Sequence, residues 1–177
     1  MNNPLTIDFK LHKGHIDQLT AIDRVVYHQE PDQNQMAIAD RRPELYTIIR
    51  RGDFVIGYGL VLPLRKAVFK ALKTGQIWED EINLECLTER LPTGLYITAI
   101  ATVPGASERE RAMLVGSTVS PALRTPIETI TVPISEAGDR ICRNLLRMTP
   151  MRSRTELKGI AGYIPTIYTT EEPHDTR

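Results

Sequence analysis

LYITAIATVPGASERERAMLVGSTV, residues 95–119, is the stretch that decides how the chain is organised. Its first nine residues, Leu95–Val103, are uncharged and rich in β-branched side chains, which predicts a buried strand. Pro104 cannot donate a hydrogen bond to a neighbouring strand, so the strand ends there. Ser107 and Glu110 form the S-x-x-E pattern of a capping box, which predicts a helix start. A helix in this position directs backbone N–H groups at the strand end, a geometry that suits an anion such as phosphate.

The composition of the 177 residues predicts one globular domain covering 1–177, with a polar tail over 169–177. Twenty-two Lys and Arg balance 22 Asp and Glu, which argues against a dedicated nucleic-acid binder. No apolar run is long enough to span a bilayer, and the first ten residues do not read as a signal peptide. The two cysteines give no metal-ligand spacing. We therefore expect a cytoplasmic protein without a metal site, a membrane partner or a nucleic-acid partner.

The rest of the chain continues an alternation of strands and helices. The patterns predict a strand over 5–9, a helix over 15–27, a helical turn over 36–40, strands over 45–49 and 54–62, a helix ending near 74, the central strand and its helix, stopped or kinked at Pro121, a strand over 127–132, a helix after Ser135, a loop over 150–154 and short strands at 163–164 and 167–168. This order predicts a mixed α/β domain with helices on both faces of a sheet.

The central stretch resembles the GNAT superfamily of acetyl-CoA-dependent N-acyltransferases. In that family a strand ending in V-x-P runs into a [Q/R]-x-x-G-x-[G/A] loop, whose backbone amides hold the pyrophosphate of coenzyme A. Here the strand ends at 102–104 as Thr-Val-Pro, and the loop position holds 107–112, Ser-Glu-Arg-Glu-Arg-Ala. The hairpin with Val55–Tyr58 and the following Pro63-Leu64 are also similar to the family, as is the order of elements over nearly the whole chain. The resemblance implies a mostly antiparallel twisted sheet.

The loop departs from the family pattern where glycine lets a phosphate approach the backbone. Glu110 stands at the usual first glycine, and its carboxylate and that of Glu108 already satisfy the positive end of the helix dipole. Arg109 and Arg111 are then the groups that can bind phosphate oxygens. Two interpretations stay open, a variant coenzyme A site that uses arginines and a well-capped core helix with a solvated first turn. The resemblance implies acetyl-CoA as cosubstrate, at a site formed by Ile100, Ala101, Thr102, Ser107, Glu108, Arg109, Glu110, Arg111 and Ala112.

The activity that the resemblance implies is acetyl transfer to a primary amine of a small molecule or a protein. The thioester carbonyl would be polarised by a backbone N–H at a break in the central strand, near Ile100–Thr102. The amine must also lose a proton, for which Glu81, Glu85 and Glu128 are candidates. The acidic segment 78–85 would attract a cationic amine, or is simply a solvated connector.

The leaving thiolate must gain a proton. Cys142 stands at or next to the position of the family's tyrosine acid, and Ser135 is the second candidate. A buried structural role is the other interpretation of Cys142, and the one that the burial of cysteine favours. Because the loop glycines and that tyrosine are absent, the alternative is a non-catalytic GNAT-like binding or regulatory protein. A homodimer is possible for either function.

Overall fold

The computed structural model describes residues 4–90, 92–156 and 159–170. Within these ranges the chain forms seven strands and five α-helices. The strands are β1 (Leu5–Asp8), β2 (Tyr46–Arg51), β3 (Phe54–Leu64), β4 (Gly94–Thr102), β5 (Glu128–Thr131), β6 (Thr149–Ser153) and β7 (Thr166–Thr169). The helices are α1 (Ile16–Val26), α2 (Gln33–Arg41), α3 (Lys66–Lys73), α4 (Glu108–Leu123) and α5 (Glu136–Arg140), which continues as a π-helical turn, Ile141–Leu145.

The strands form one sheet in the order β1-β2-β3-β4-β5-β7-β6. Every neighbouring pair is antiparallel except β4 and β5, which run parallel. The predicted mixed, mostly antiparallel sheet is therefore confirmed. The parallel pairing joins only Gly94–Ile97 to Glu128–Thr131. Beyond it the second half of β4 pairs, among the described residues, with β3 alone, and a gap opens on its other side.

A β-bulge interrupts β4 at the point where this gap begins. Leu60 of β3 pairs with Ala99, whereas Val61 pairs with Ile97, so Thr98 is the extra residue. Bulges bend a strand and redirect its backbone and side chains. The break in the central strand thus lies at Thr98, and the expectation that it lies near Ile100–Thr102 is wrong, because the register with β3 is regular over those residues.

Helices cover both faces of the sheet, as the alternation of apolar side chains in the strands requires. The first three helices pack on one face, in a cluster that includes Tyr96 of β4. The fourth helix packs on the other face, where Val115 and Val119 contact Ile97. Adjacent residues of β4 thus point to opposite cores, which is why its sequence reads as continuously apolar.

The structure corrects the predicted elements mainly near the C-terminus. Residues 150–154, predicted as a loop, lie largely in β6, an edge strand that tolerates Pro150 and exposed polar side chains. The predicted strand at 163–164 does not form, and residues 171–177 of the predicted tail lie outside the described residues. Pro121 sits in the last turn of α4 and does not stop it, since proline there removes only one helix hydrogen bond. No helix in the described ranges has both the length and the apolar character needed to cross a membrane.

Candidate active site

A cavity of about 790 Å³ occupies the gap between β4 and β5. Its wall includes Asp23 of α1 on one face of the sheet and Val115 of α4 on the other. The second half of β4, from Thr98 to Thr102, forms one side of the gap, and Ser135 lies on the opposite side. Because the parallel pairing stops early, the backbone itself opens a passage that joins the two faces.

Glu79 is the acidic residue closest to the bulge of β4. The Tyr96 hydroxyl donates to its Oε2 at 2.8 Å, and the Thr98 hydroxyl donates to its Oε1. Burial raises the pKa of Glu79, more than these two hydrogen bonds lower it. A carboxylate with a raised pKa in a cavity, beside a bulge in the central strand, has the properties of a general base.

A second carboxylate, Asp23, faces the same cavity from α1. The Tyr58 hydroxyl donates a hydrogen bond to it, and burial raises its pKa to about 6. Tyr27 lies within electrostatic reach of both Asp23 and Glu79, and its hydroxyl faces the backbone N–H of Ile100. Burial, and then these two negative charges, raise the pKa of Tyr27, so that its phenol stays protonated. This part of the cavity wall thus combines two carboxylates with hydroxyl donors.

The start of α4 forms the predicted capping box. The Glu110 N–H donates to the Ser107 hydroxyl at 3.3 Å, and the Ser107 N–H donates to the Glu110 carboxylate at 2.8 Å. Glu110 is only 4% exposed and also accepts a hydrogen bond from Arg51 at the end of β2. These donors, the Ser107 N–H first and then Arg51, lower the pKa of Glu110. Because Arg51 offsets its charge, Glu110 repels an approaching anion less than the sequence alone suggests.

Of the residues predicted to bind coenzyme A, four line the cavity and five do not. Ile100, Ala101, Thr102 and Arg111 are in its wall. The side chain of Arg109, by contrast, is exposed outside the wall. The others outside the wall are Ser107, Glu108, Glu110 and Ala112. An anion at the helix start would thus meet Arg111 next to the cavity rather than a glycine-lined loop.

The proton donors predicted for the thiolate both reach the cavity. Cys142 is buried against Met148 and Tyr168, and burial raises its pKa to about 12. A thiol with that pKa is a poor acid, which favours the structural role. Ser135 caps α5, its hydroxyl accepting the Gly138 N–H at 3.2 Å.

The carboxylates predicted to accept the amine proton lie elsewhere: each of the three side chains is outside the cavity wall, so the cavity geometry does not support that role. Glu85 is exposed on the connector between α3 and β4. Glu81 is also exposed, and its carboxylate accepts the Trp78 N–H at 2.7 Å. Glu128 forms an ion pair with Lys73 at 2.6 Å.

Sequence reasoning missed Glu79, Asp23 and the tyrosines around them. One signal was present in β4 itself, since Tyr96 and Thr98 are polar residues two apart on the same face of a largely apolar strand. Buried hydroxyl groups need hydrogen-bond partners. That requirement pointed to a polar group above the strand, and Glu79 supplies it.

No protein-family model matches the sequence, and no curated protein matches it. Solved structures do match. Naa50 of Arabidopsis thaliana, bound to the bisubstrate analogue CoA-Ac-MVNAL, superposes with a TM-score of 0.64 at 12% identity, covering 95% of this chain and 99% of that one. The chain has the GNAT fold.

Two other GNAT structures match over similar lengths. A mosquito arylalkylamine N-acetyltransferase-like protein has a TM-score of 0.62 at 10% identity, covering 94% of this chain and 99% of its own. The GNAT-like decarboxylase GphF, in complex with isobutyryl-CoA, has a TM-score of 0.65 at 10% identity, covering 93% and 97%. At these identities the likeness concerns the fold alone, and function must be argued from the site.

Proposed function

We propose that this protein is an N-acyltransferase that moves an acyl group, acetyl in the simplest case, from a coenzyme A thioester to a primary amine. The observation that carries the proposal is Glu79, a carboxylate with a raised pKa, held by Tyr96 and Thr98 at the bulge of β4. Two of the matching structures support a coenzyme A-type cosubstrate by their ligands, a CoA bisubstrate analogue in Naa50 and isobutyryl-CoA in the GNAT-like decarboxylase GphF.

The chemistry divides between the two ends of the cavity. Glu79 accepts a proton from the bound ammonium form of the acceptor, directly or through one water, and leaves a nucleophilic amine. The amine nitrogen then forms a bond to the carbonyl carbon as the C–S bond breaks. The nitrogen, now positively charged, loses its second proton to the leaving thiolate, through water or through the Ser135 hydroxyl on the opposite wall, which gives one proton as it takes another. Tyr27 and the bulge at Thr98 position the acceptor amine next to Glu79. Holding the two reactants in the right orientation supplies the remainder of the rate enhancement.

The residues present fit the thioester arm of coenzyme A better than its pyrophosphate. The gap beyond Ile97 is open, and the residues 100–102 line it. The capping box already engages the N–H groups of Ser107 and Glu110. The pyrophosphate would therefore be held chiefly by Arg111, which can donate to phosphate oxygens as a fork.

Calorimetric titration with acetyl-CoA, with desulfo-coenzyme A as a control for thiol chemistry, tests the cosubstrate. We expect micromolar binding. Arg111→Ala should weaken it about tenfold or more, since it removes a charge-assisted contact, whereas Arg109→Ala, the control of equal charge, should weaken it less. Equal effects of the two substitutions would contradict the assignment of Arg111. Absence of binding at millimolar ligand would favour the non-catalytic alternative, for which the filled, ion-paired position of Glu110 is the supporting observation.

Glu79→Gln tests the catalytic role. In an assay of coenzyme A release with a panel of primary amines, we expect kcat to fall about 100-fold or more, because a positioned general base contributes that much. Glu85→Gln is the matched control, since Glu85 is exposed and outside the cavity. The wild-type rate should rise with pH through the raised pKa of Glu79, and the variant should lose that rise. A variant with unchanged kcat and pH profile would refute the role of Glu79.

A further inference from the structure

Arg154, the residue that follows β6, is a charged side chain buried at the wall of the cavity. It is only 1% exposed, and its guanidinium lies over the Trp78 ring at 4.0 Å from the ring centroid. Its Nε donates to Glu156 at 2.6 Å. Its Nη2 is buried and has no hydrogen-bond partner among the described residues, in a residue that lines the cavity. The guanidinium therefore carries donor capacity that the described protein atoms do not satisfy.

Burying an arginine with an unpartnered nitrogen is energetically unfavourable. Arginine cannot shed its proton, and it has five N–H donors in a planar fork that matches a carboxylate. Glu156 offsets the charge only partly, because its side chain is 41% exposed and shares its charge with water. Buried charges are normally paired and hydrogen-bonded on all sides. The unpartnered Nη2 is thus a donor that an anion outside the described residues can satisfy.

The same wall of the cavity holds the proposed general base. Trp78, the ring on which Arg154 stacks, directly precedes Glu79 in the chain. The charge of Arg154 also acts on Tyr96, whose hydroxyl donates to Glu79. A cation and a carboxylate therefore lie around one tyrosine, at the wall of one cavity. A substrate with an anionic group and an amine would find a complementary partner for each.

We propose that Arg154 binds a carboxylate of the substrate, with the Trp78 ring as the planar platform beside it. The proposal rests on the proposed function in one respect, that the amine of the same reaction faces Glu79. The carboxylate has two possible sources. It belongs to the acceptor, which is then an amino acid or a related amino-carboxylate, or to the acyl group, which is then a dicarboxylic acyl such as succinyl.

The first test needs no turnover, because Trp78 is the single tryptophan of the chain and reports on its own stacking partner. Its fluorescence is followed at constant ionic strength while acetate or succinate is added, with acetamide and succinamide as neutral controls of the same shape. We expect a saturable change with the carboxylates that is at least tenfold weaker with the amides. Equal responses to carboxylates and amides, or no response to either, would overturn the proposal.

Variants at Arg154 give the second comparison. Arg154→Gln should abolish the response to carboxylates, and Arg154→Lys should keep a weaker one, because lysine keeps the charge but not the fork. Circular dichroism and the melting temperature show whether each variant is folded. A folded Arg154→Gln that still responds to acetate would overturn the proposal, and if that variant does not fold, the comparison of carboxylates with amides in the wild type still decides.

Two turnover assays distinguish the source of the carboxylate. In the first, acetyl-CoA is supplied with matched acceptors, phenylalanine against phenethylamine and 4-aminobutyrate against butylamine. In the second, succinyl-CoA is compared with acetyl-CoA on the same amines. A tenfold preference for the acid in the first assay assigns the carboxylate to the acceptor, and a preference for succinyl-CoA in the second assigns it to the acyl group. Turnover without preference in either would overturn the proposal. Failure of coenzyme A thioesters to bind would refute the proposed function while the fluorescence result stands by itself.

Discussion

Asp23→Asn should make the protein more stable at neutral and alkaline pH. The Asp23 carboxyl lies half-buried at the cavity wall, and burial raises its pKa from 3.8 to about 6. An acid whose pKa rises on folding stabilises the fold only while it is protonated. That contribution is complete below about pH 4 and is lost as the pH rises through 6. This rise in pKa corresponds to about 3 kcal/mol in the free energy of unfolding, which we reduce to about 2 kcal/mol because solvent reaches part of the carboxyl group.

The measurement is urea unfolding at pH 4, 6 and 8. Asparagine keeps the shape and can still accept the hydrogen bond from Tyr58. The free energy of unfolding of Asp23→Asn should exceed that of the wild type by about 2 kcal/mol at pH 8, and the difference should shrink towards pH 4. Asp17→Asn, an exposed position on the same helix, is the control and should show no such trend. A difference that does not change between pH 4 and pH 8 would refute the argument.

Two further predictions concern the packing around α4. Glu110→Ala removes the capping box and should lower the free energy of unfolding by about 1–2 kcal/mol at pH 7. Because the pKa of Glu110 is lowered in the folded state, this loss should fade at acidic pH. Urea unfolding curves of variant and wild type that differ equally at pH 7 and pH 3 would contradict the prediction. Gly59→Ala would place a Cβ 2.0 Å from the Thr118 hydroxyl oxygen and should lower the melting temperature by several degrees. Gly116→Ala, whose Cβ would have no atom within 4 Å, should raise the melting temperature slightly. A change of melting temperature in the same direction for both variants would show that the clash at Gly59 is relieved.

The local part of this structure could be predicted from the sequence. The capping box of Ser107 and Glu110, the apolar run of β4 and the helical spacing of α1 are each decided by residues within one or two turns of each other. Even the order of elements sufficed for the fold class. The bulge at Thr98 was not predictable in position, because it depends on the register with β3 rather than on the sequence of β4.

The candidate site depends on contacts that local patterns do not contain. Glu79 meets Thr98 across 19 positions, and Asp23 meets Tyr58 across 35. The basic run around Arg154 reads as a solvated loop until the tertiary structure places that guanidinium on Trp78. Charged residues in such segments are usually solvated, so their burial is evident only once the chain has folded back on them.

The way in which β4 and β5 part has a consequence for how freely such a sequence can change. Four parallel residue pairs hold the two strands together, and the opening beyond them is made by main-chain hydrogen bonding rather than by particular side chains. A substitution that leaves those pairs intact leaves the two backbones parted, and changes the opening only through the size of its own side chain. The backbone therefore makes the opening, and the side chains that line it decide what binds there. Those side chains can be replaced one at a time without a change of fold. The matching structures share only 10–12% of their residues with this chain while superposing over more than 90% of its length, which is what such a separation permits.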